Sequence, residues 1–148
     1  MKTQKVTTFL WFPGQLAEEA ARFYAEVLPE ARVLDSSPMA TNFEVAGTRF
    51  VALNGNPGQP FTEAMSILIE CEDQAEVDRL WAGLTAGGGQ PGQCGWLKDR
   101  FGVSWQVIPR RLFELMGNPA VVKAMMKMSK IDIAALESAE EGAPPRRR

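Results

Sequence analysis

The chain has 148 residues, 16 of them basic and 18 acidic, for a formal charge of -2, and it contains no histidine. That length suits one compact domain, or two half-domains of about 70 residues each, and four Trp with eight Phe supply ample material for a core. A nucleic-acid partner is not expected, because a phosphate-tracking surface needs a concentrated positive field; the missing imidazole excludes a histidine-ligated metal and any Ser-His or Cys-His nucleophile.

Thr7-Thr8-Phe9-Leu10-Trp11-Phe12 is short, aromatic and β-prone, and Pro13-Gly14 ends it as a turn does. From Leu16, apolar residues recur at Ala20, Phe23, Tyr24 and Val27, with Glu18, Glu19, Arg22 and Glu26 elsewhere on the wheel; this spacing predicts a helix closed by Pro29. Arg32–Ser36 reads as a strand broken at Ser37-Pro38. Asn42–Val45 then leads through Ala46-Gly47 into Arg49–Leu53, an antiparallel hairpin. Residues 54–60 are expected to form a loop.

The pattern then restarts. Met65–Glu70 is a predicted strand, and Asp73 with Glu76 forms an N-cap pair for a helix presenting Val77, Leu80, Trp81 and Leu84 on one side. Gly87-Gly88-Gly89 stops it. Gly95–Lys98 and Val103–Ile108 follow as strands, joined by Asp99–Gly102. Asn118-Pro119 opens a helix bearing Val121, Val122, Met125, Met126 and Met128, and another is expected from Asp132, stapled by Ile131 and Leu136. The reading is therefore one domain over 1–148: a first module at 6–60, a second at 61–109, a helical segment at 110–137 and a flexible tail at 138–148.

Two cysteines, Cys71 and Cys94, make no disulfide framework, no signal-peptide pattern precedes Thr7, and no apolar stretch reaches membrane-spanning length. A cytoplasmic protein with neither membrane nor nucleic-acid partner is expected. The strand–helix–strand modules imply a curved, mainly antiparallel sheet whose helices shield one face, leaving the other free to enclose a small-molecule ligand.

Candidate ligand-binding residues are Trp11, Asn54, Ser66, Glu70, Trp96 and Gln106. Gln106 stands on a strong strand between Trp105 and Val107, so an enclosed Gln106 face would require a partner for its amide. Ser66 shares a strand face with Leu68 and Glu70. Glu44, Glu63 and Glu70 are the carboxylates that burial could turn into general acids. No catalytic residue, metal ligand or cofactor is assigned. The glycines near Asn54 lack a phosphate-loop pattern, and the methionines from Met116 to Met128 read as adaptable packing, including against a partner subunit.

The wording Phe9-Leu10-Trp11-Phe12, Glu18–Tyr24, Ala52–Gly55, Phe61–Ala64, Glu76–Trp81, Gly87–Gly89, Gln93–Gln106 and Lys130–Leu136 resembles the PhnB-like, or 3-demethylubiquinone methyltransferase-like, branch of the glyoxalase, bleomycin-resistance and extradiol-dioxygenase (vicinal oxygen chelate) superfamily. The resemblance implies an α+β fold of paired βαβββ modules forming a curved mixed sheet with C-terminal helices, and a homodimer. Its metal-ligand positions fall near Thr8, at Ser66 and at Gln106, and the first two are poor replacements for histidine. The stretch from Pro38 to Asn42 is shorter than the resemblance implies. Three functions follow as expectations: metal-independent small-molecule binding; a divalent-metal lyase, isomerase or oxygenase in which Glu44 or Glu70 joins Gln106; and a structural or interaction domain with a filled interior.

Overall fold

A computed structural model describes residues 4–142, which divide into two compact units between Pro60 and Phe61.

In the first unit β1 (Thr8–Pro13) alternates strictly: Leu10 and Phe12 are buried, while Phe9 and Trp11 are exposed. Next come α1 (Ala17–Val27), β2 (Ala31–Ser36), β3 (Ala40–Val45) and β4 (Thr48–Asn56), giving a sheet of order β1-β4-β3-β2. β1 runs parallel to β4 and the remaining pairs are antiparallel. Helix α1 buries Ala17, Ala20, Ala21, Phe23 and Tyr24. Tyr24 stacks on Phe43 and Phe43 on Phe50, with centroids 5.5 and 5.4 Å apart. Leu16, expected on the buried stripe, is instead the half-exposed N-cap.

The β3–β4 turn has only two residues, Ala46 (φ 47°) and Gly47 (φ 84°), both left-handed. This geometry suits the twist of a hairpin, and it strains Ala46. The connection before β3 is short because Ser37 closes it: its N–H donates to Ala40 O at 2.8 Å, and its hydroxyl accepts from the N–H of Ala40 at 3.2 Å. The loop expected at 54–60 starts later, because β4 continues through Asn54 and Gly55 to Asn56.

The second unit repeats the element order. β5 (Ile67–Cys71), α2 (Gln74–Thr85), β6 (Gln90–Pro91), β7 (Trp96–Lys98) and β8 (Ser104–Pro109) make a sheet of order β5-β8-β7-β6, with β5 parallel to β8 and the other pairs antiparallel. Asp73 caps α2 by accepting from the N–H of Glu76 at 2.9 Å, and Glu76 reaches back to the N–H of Glu72 at 2.8 Å. Between β7 and β8, Asp99 organises the turn: its carboxylate accepts from the N–H groups of Phe101 (2.9 Å) and Val103 (3.1 Å) and from the Trp105 indole (2.9 Å).

Three helices follow: α3 (Arg110–Leu115), which opens the segment expected to be helical at 110–137 without a start signal of its own, α4 (Pro119–Met125) and α5 (Ile133–Glu141). Leu112, Leu115, Val121, Ile131 and Leu136 bury together with Ile108 of β8. Asn118 and Asp132 cap α4 and α5, at 2.9 and 3.0 Å. The amide of Gln74 joins α2 to this tail, donating to Ile131 O (2.9 Å) and accepting from Ile133 N–H (2.7 Å). Beside it Lys130 pairs with Asp78 at 2.9 Å, and Asp78 is held below the usual carboxylate range, first by the Gln74 hydrogen bond and then by Lys130. Helix α5 carries the chain past the expected boundary at 137; residues 143–148 of the expected tail lie outside the described residues. Among the described residues no helix is long and apolar enough to cross a membrane.

Candidate functional site

The second sheet has two unlike faces. Ile67, Trp105 and Leu97 form one cross-strand row, and Ile69 pairs with Val107. Leu97, Trp105 and Val107 are at most 2% exposed, and Val77, Leu80 and Leu84 of α2 are fully buried with them. Strand alternation sends the intervening residues to the other face. There the register builds two further rows: Leu68, Gln106 and Trp96 across β5, β8 and β7, and Ser104, Lys98 and Gln90 across β8, β7 and β6.

The first of these rows is amphipathic. Trp96 and Gln106 are half-buried and Leu68 is exposed, so an indole and an isobutyl group flank a primary amide. Gln106 Nε2 donates to Ser66 Oγ at 2.8 Å. With that bond made, Gln106 Oε1 has lone pairs for an incoming donor and the Ser66 hydroxyl has a proton for an acceptor.

The second row is polar and lies in a recess of about 360 Å³ lined by Glu63, Gln90–Gln93, Trp96, Lys98 and Ser104. Lys98 Nζ pairs with Glu63 Oε1 at 2.9 Å. Ser104 is 2% exposed, and its Oγ has no hydrogen-bond partner among the described residues. A buried hydroxyl left in this state is unusual, since most find a partner. On the other side of the Gln106 row, Ile108 packs with the C-terminal helices, which close that end.

The structure thus brings Ser66, Trp96 and Gln106 together and gives the other candidates different surroundings. Glu70 shares their face, but its carboxylate accepts from Arg110 Nε at 3.0 Å, and Arg110 also holds Glu72 at 2.9 Å. In the first unit Asn54 works within the fold. Its Oδ1 accepts from Ala17 N–H at 2.8 Å, and its Nδ2 donates to Pro38 O at 3.0 Å and Gln15 Oε1 at 3.3 Å, so it caps α1 from a neighbouring strand. The exposed Trp11 donates its indole N–H to Asn54 O at 2.9 Å. Glu44 pairs with Arg32 at 3.0 Å.

These residues do not fit the divalent metal that the superfamily resemblance implies. Ser66 and Gln106 are neutral oxygen and amide donors bonded to each other, and Thr8 pairs with Phe50 on the α1 side of its sheet, leaving Phe9 on the opposite face. No group of three or more His, Cys, Asp or Glu among the described residues is placed to hold a metal. Cys71 is fully buried, and burial, reinforced by Glu76, pushes its thiol up to about 12, which suits an inert thiol. Lys98 and Ser104 escaped the sequence reading. Strand alternation sets Ser104 on the Gln106 face, but its pairing with Lys98 and the recess around it depend on tertiary register, which the sequence does not carry locally.

Comparison with known proteins gives a consistent result. The family described as 3-demethylubiquinone-9 3-methyltransferase matches residues 4–108. The structure resembles the PhnB protein from Bacillus cereus, itself described as a 3-demethylubiquinone-9 3-methyltransferase, with a TM-score of 0.64 and 30% identity over 72% of this chain and 99% of that one. Protein PA1353 from Pseudomonas aeruginosa follows at 0.56 and 20%, over 72% and 98% of the two chains. The fosfomycin resistance protein FosX from Listeria monocytogenes, solved with Mn(II) and sulfate, has 0.56 and 18% over 74% and 91%, a likeness of fold. No curated protein matches the sequence.

Proposed function

The chain belongs to the 3-demethylubiquinone-9 3-methyltransferase family, in the PhnB-like branch of the glyoxalase and bleomycin-resistance superfamily, and from that premise we propose that it binds a small molecule on the face of the second sheet turned away from α2, without a histidine-ligated metal. The observation that carries this reading is the row Leu68, Gln106 and Trp96, with Gln106 fixed by Ser66 at 2.8 Å. Apolar surface on both sides of an oriented amide supplies burial for affinity and hydrogen bonds for orientation. Trp11, Asn54 and Glu70 have ancillary parts at most, since each is engaged with its own neighbours.

The family description names a methyl transfer, but neither sheet has the run of parallel strands and Gly-rich first turn that a Rossmann-like S-adenosylmethionine site uses. The turn into α2 is acidic, Glu72-Asp73. A small-molecule binder is therefore preferred to a methyltransferase. The divalent-metal enzyme finds no support in Glu44 and Glu70, each held by an arginine. A filled scaffold is disfavoured by the recess beside Trp96.

We further propose a cytoplasmic homodimer. Its two cysteines are free, and Phe113, Met116 and Met126 on the C-terminal segment expose apolar surface suited to a second copy. The binding reading is tested by ligand-observed NMR against a library of small aromatic and carbonyl compounds. Binders should lose their signal with Gln106→Leu or Trp96→Ala while both variants stay folded; an absence of binders, or binders indifferent to both substitutions, rejects it.

A further inference from the structure

Resting on the binding reading above, we infer that the recess of Lys98 and Ser104 is a carboxylate subsite and that Glu63 occupies it as the chain's own stand-in. Ser104 and Lys98 are direct cross-strand partners, so hydroxyl and ammonium rise side by side from the same face. The Ser104 hydroxyl is a buried donor with no acceptor among the described residues, and it lines the recess. An acceptor placed there satisfies it. Lys98 selects a negatively charged acceptor, and the group it already holds, at 2.9 Å, is a carboxylate.

Glu63 is well suited to be displaced. It lies in the irregular segment between β4 and β5, its side chain is 69% exposed, and an ion pair that open adds little in water. A ligand carboxylate entering beside Trp96 would exchange with it on Lys98 and gain the Ser104 hydroxyl, with which Glu63 makes no hydrogen bond. The remainder of such a ligand would extend along Trp96 toward Gln106, the adjacent row. The ligand class is thus a small organic acid with an apolar or aromatic body.

The test is a titration of ¹⁵N-labelled protein at constant ionic strength with acetate, benzoate, phenylacetate, neutral 2-phenylethanol and inorganic phosphate. Saturable shifts at the amides of residues 96–98 and 104 are expected with the carboxylates, and phenylacetate should bind about tenfold tighter than the alcohol. Lys98→Met should abolish that difference and Ser104→Ala should weaken the acid several-fold. Glu63→Gln should tighten it, the opposite of what a residue contacting ligand would show. Carboxylates binding no better than the alcohol, a response to phosphate alone, or weakening by Glu63→Gln overturns the inference. Shifts confined to Leu68 and Gln106 reject this subsite and leave the binding reading standing, whereas silence on the whole face rejects both.

Discussion

The two units follow one element order and treat their polar side chains in opposite ways. In the first, Asn54 at the end of β4 turns toward α1 and bonds Ala17, Pro38 and Gln15. In the second, Gln106 and Ser104 on β8 stay on the face away from α2, and Ser104 keeps an unmatched hydroxyl. A repeated backbone plan therefore does not imply a repeated function. The first unit directs its amide to the fold, and the second leaves groups for something else to complete.

The largest effect should come from Asp99, which shows that the second unit also has a structural polar residue. Asp99→Ala removes the acceptor of the Phe101, Val103 and Trp105 N–H groups at a position 3% exposed. It should destabilise by about 3 kcal/mol, read from urea unfolding. A loss below about 1 kcal/mol would mean that the β7–β8 turn is held by other means.

The comparison itself is tested by Asn54→Ala against Ser104→Ala. Asn54→Ala should cost about 1–2 kcal/mol through the lost cap. Ser104→Ala should be neutral or slightly stabilising, because it deletes a buried group that has no hydrogen-bond partner among the described residues. Equal losses in the two unfolding curves would erase the distinction between the units. The smallest effect is expected at the hairpin: Ala46→Asn should stabilise by about 0.5–1 kcal/mol, because asparagine tolerates the left-handed conformation better than alanine. A lowered Tm would mean that the turn changes shape.

Most of the architecture was legible in the sequence where local patterns reported on burial. The alternation of Leu10 and Phe12 with Phe9 and Trp11, the Asp73 and Glu76 pair, and the Ile131 and Leu136 staple all lie within a few residues of the structure they specify. Strand β6 was not legible, because two residues carry no period; α3 lies inside the segment expected to be helical at 110–137, but it follows β8 directly and its N-cap, Pro109, makes no side-chain cap bond, so nothing local marks it as a separate helix. Of the site, strand alternation makes the faces of Ser66 and Gln106 legible, whereas the row that sets Trp96 beside Gln106 depends on the β7–β8 register. The roles of Asn54 and Glu70 were not legible, because hydrogen bonding to Ala17 and pairing with Arg110, 37 and 40 positions away, depend on tertiary contact.

The family match ends at residue 108, yet the chain beyond it holds the rim of the recess. Cys94 N–H donates to Met128 O and Gly95 N–H to Ser129 O, both at 2.8 Å, while Ser129 Oγ donates to Gly92 O at 2.5 Å. The helical extension thus anchors the 92–95 bend by its backbone. Shortening the protein to its family core would cut that anchor as well as remove helices, leaving three main-chain groups of the bend to water and the entrance beside Trp96 without a fixed edge.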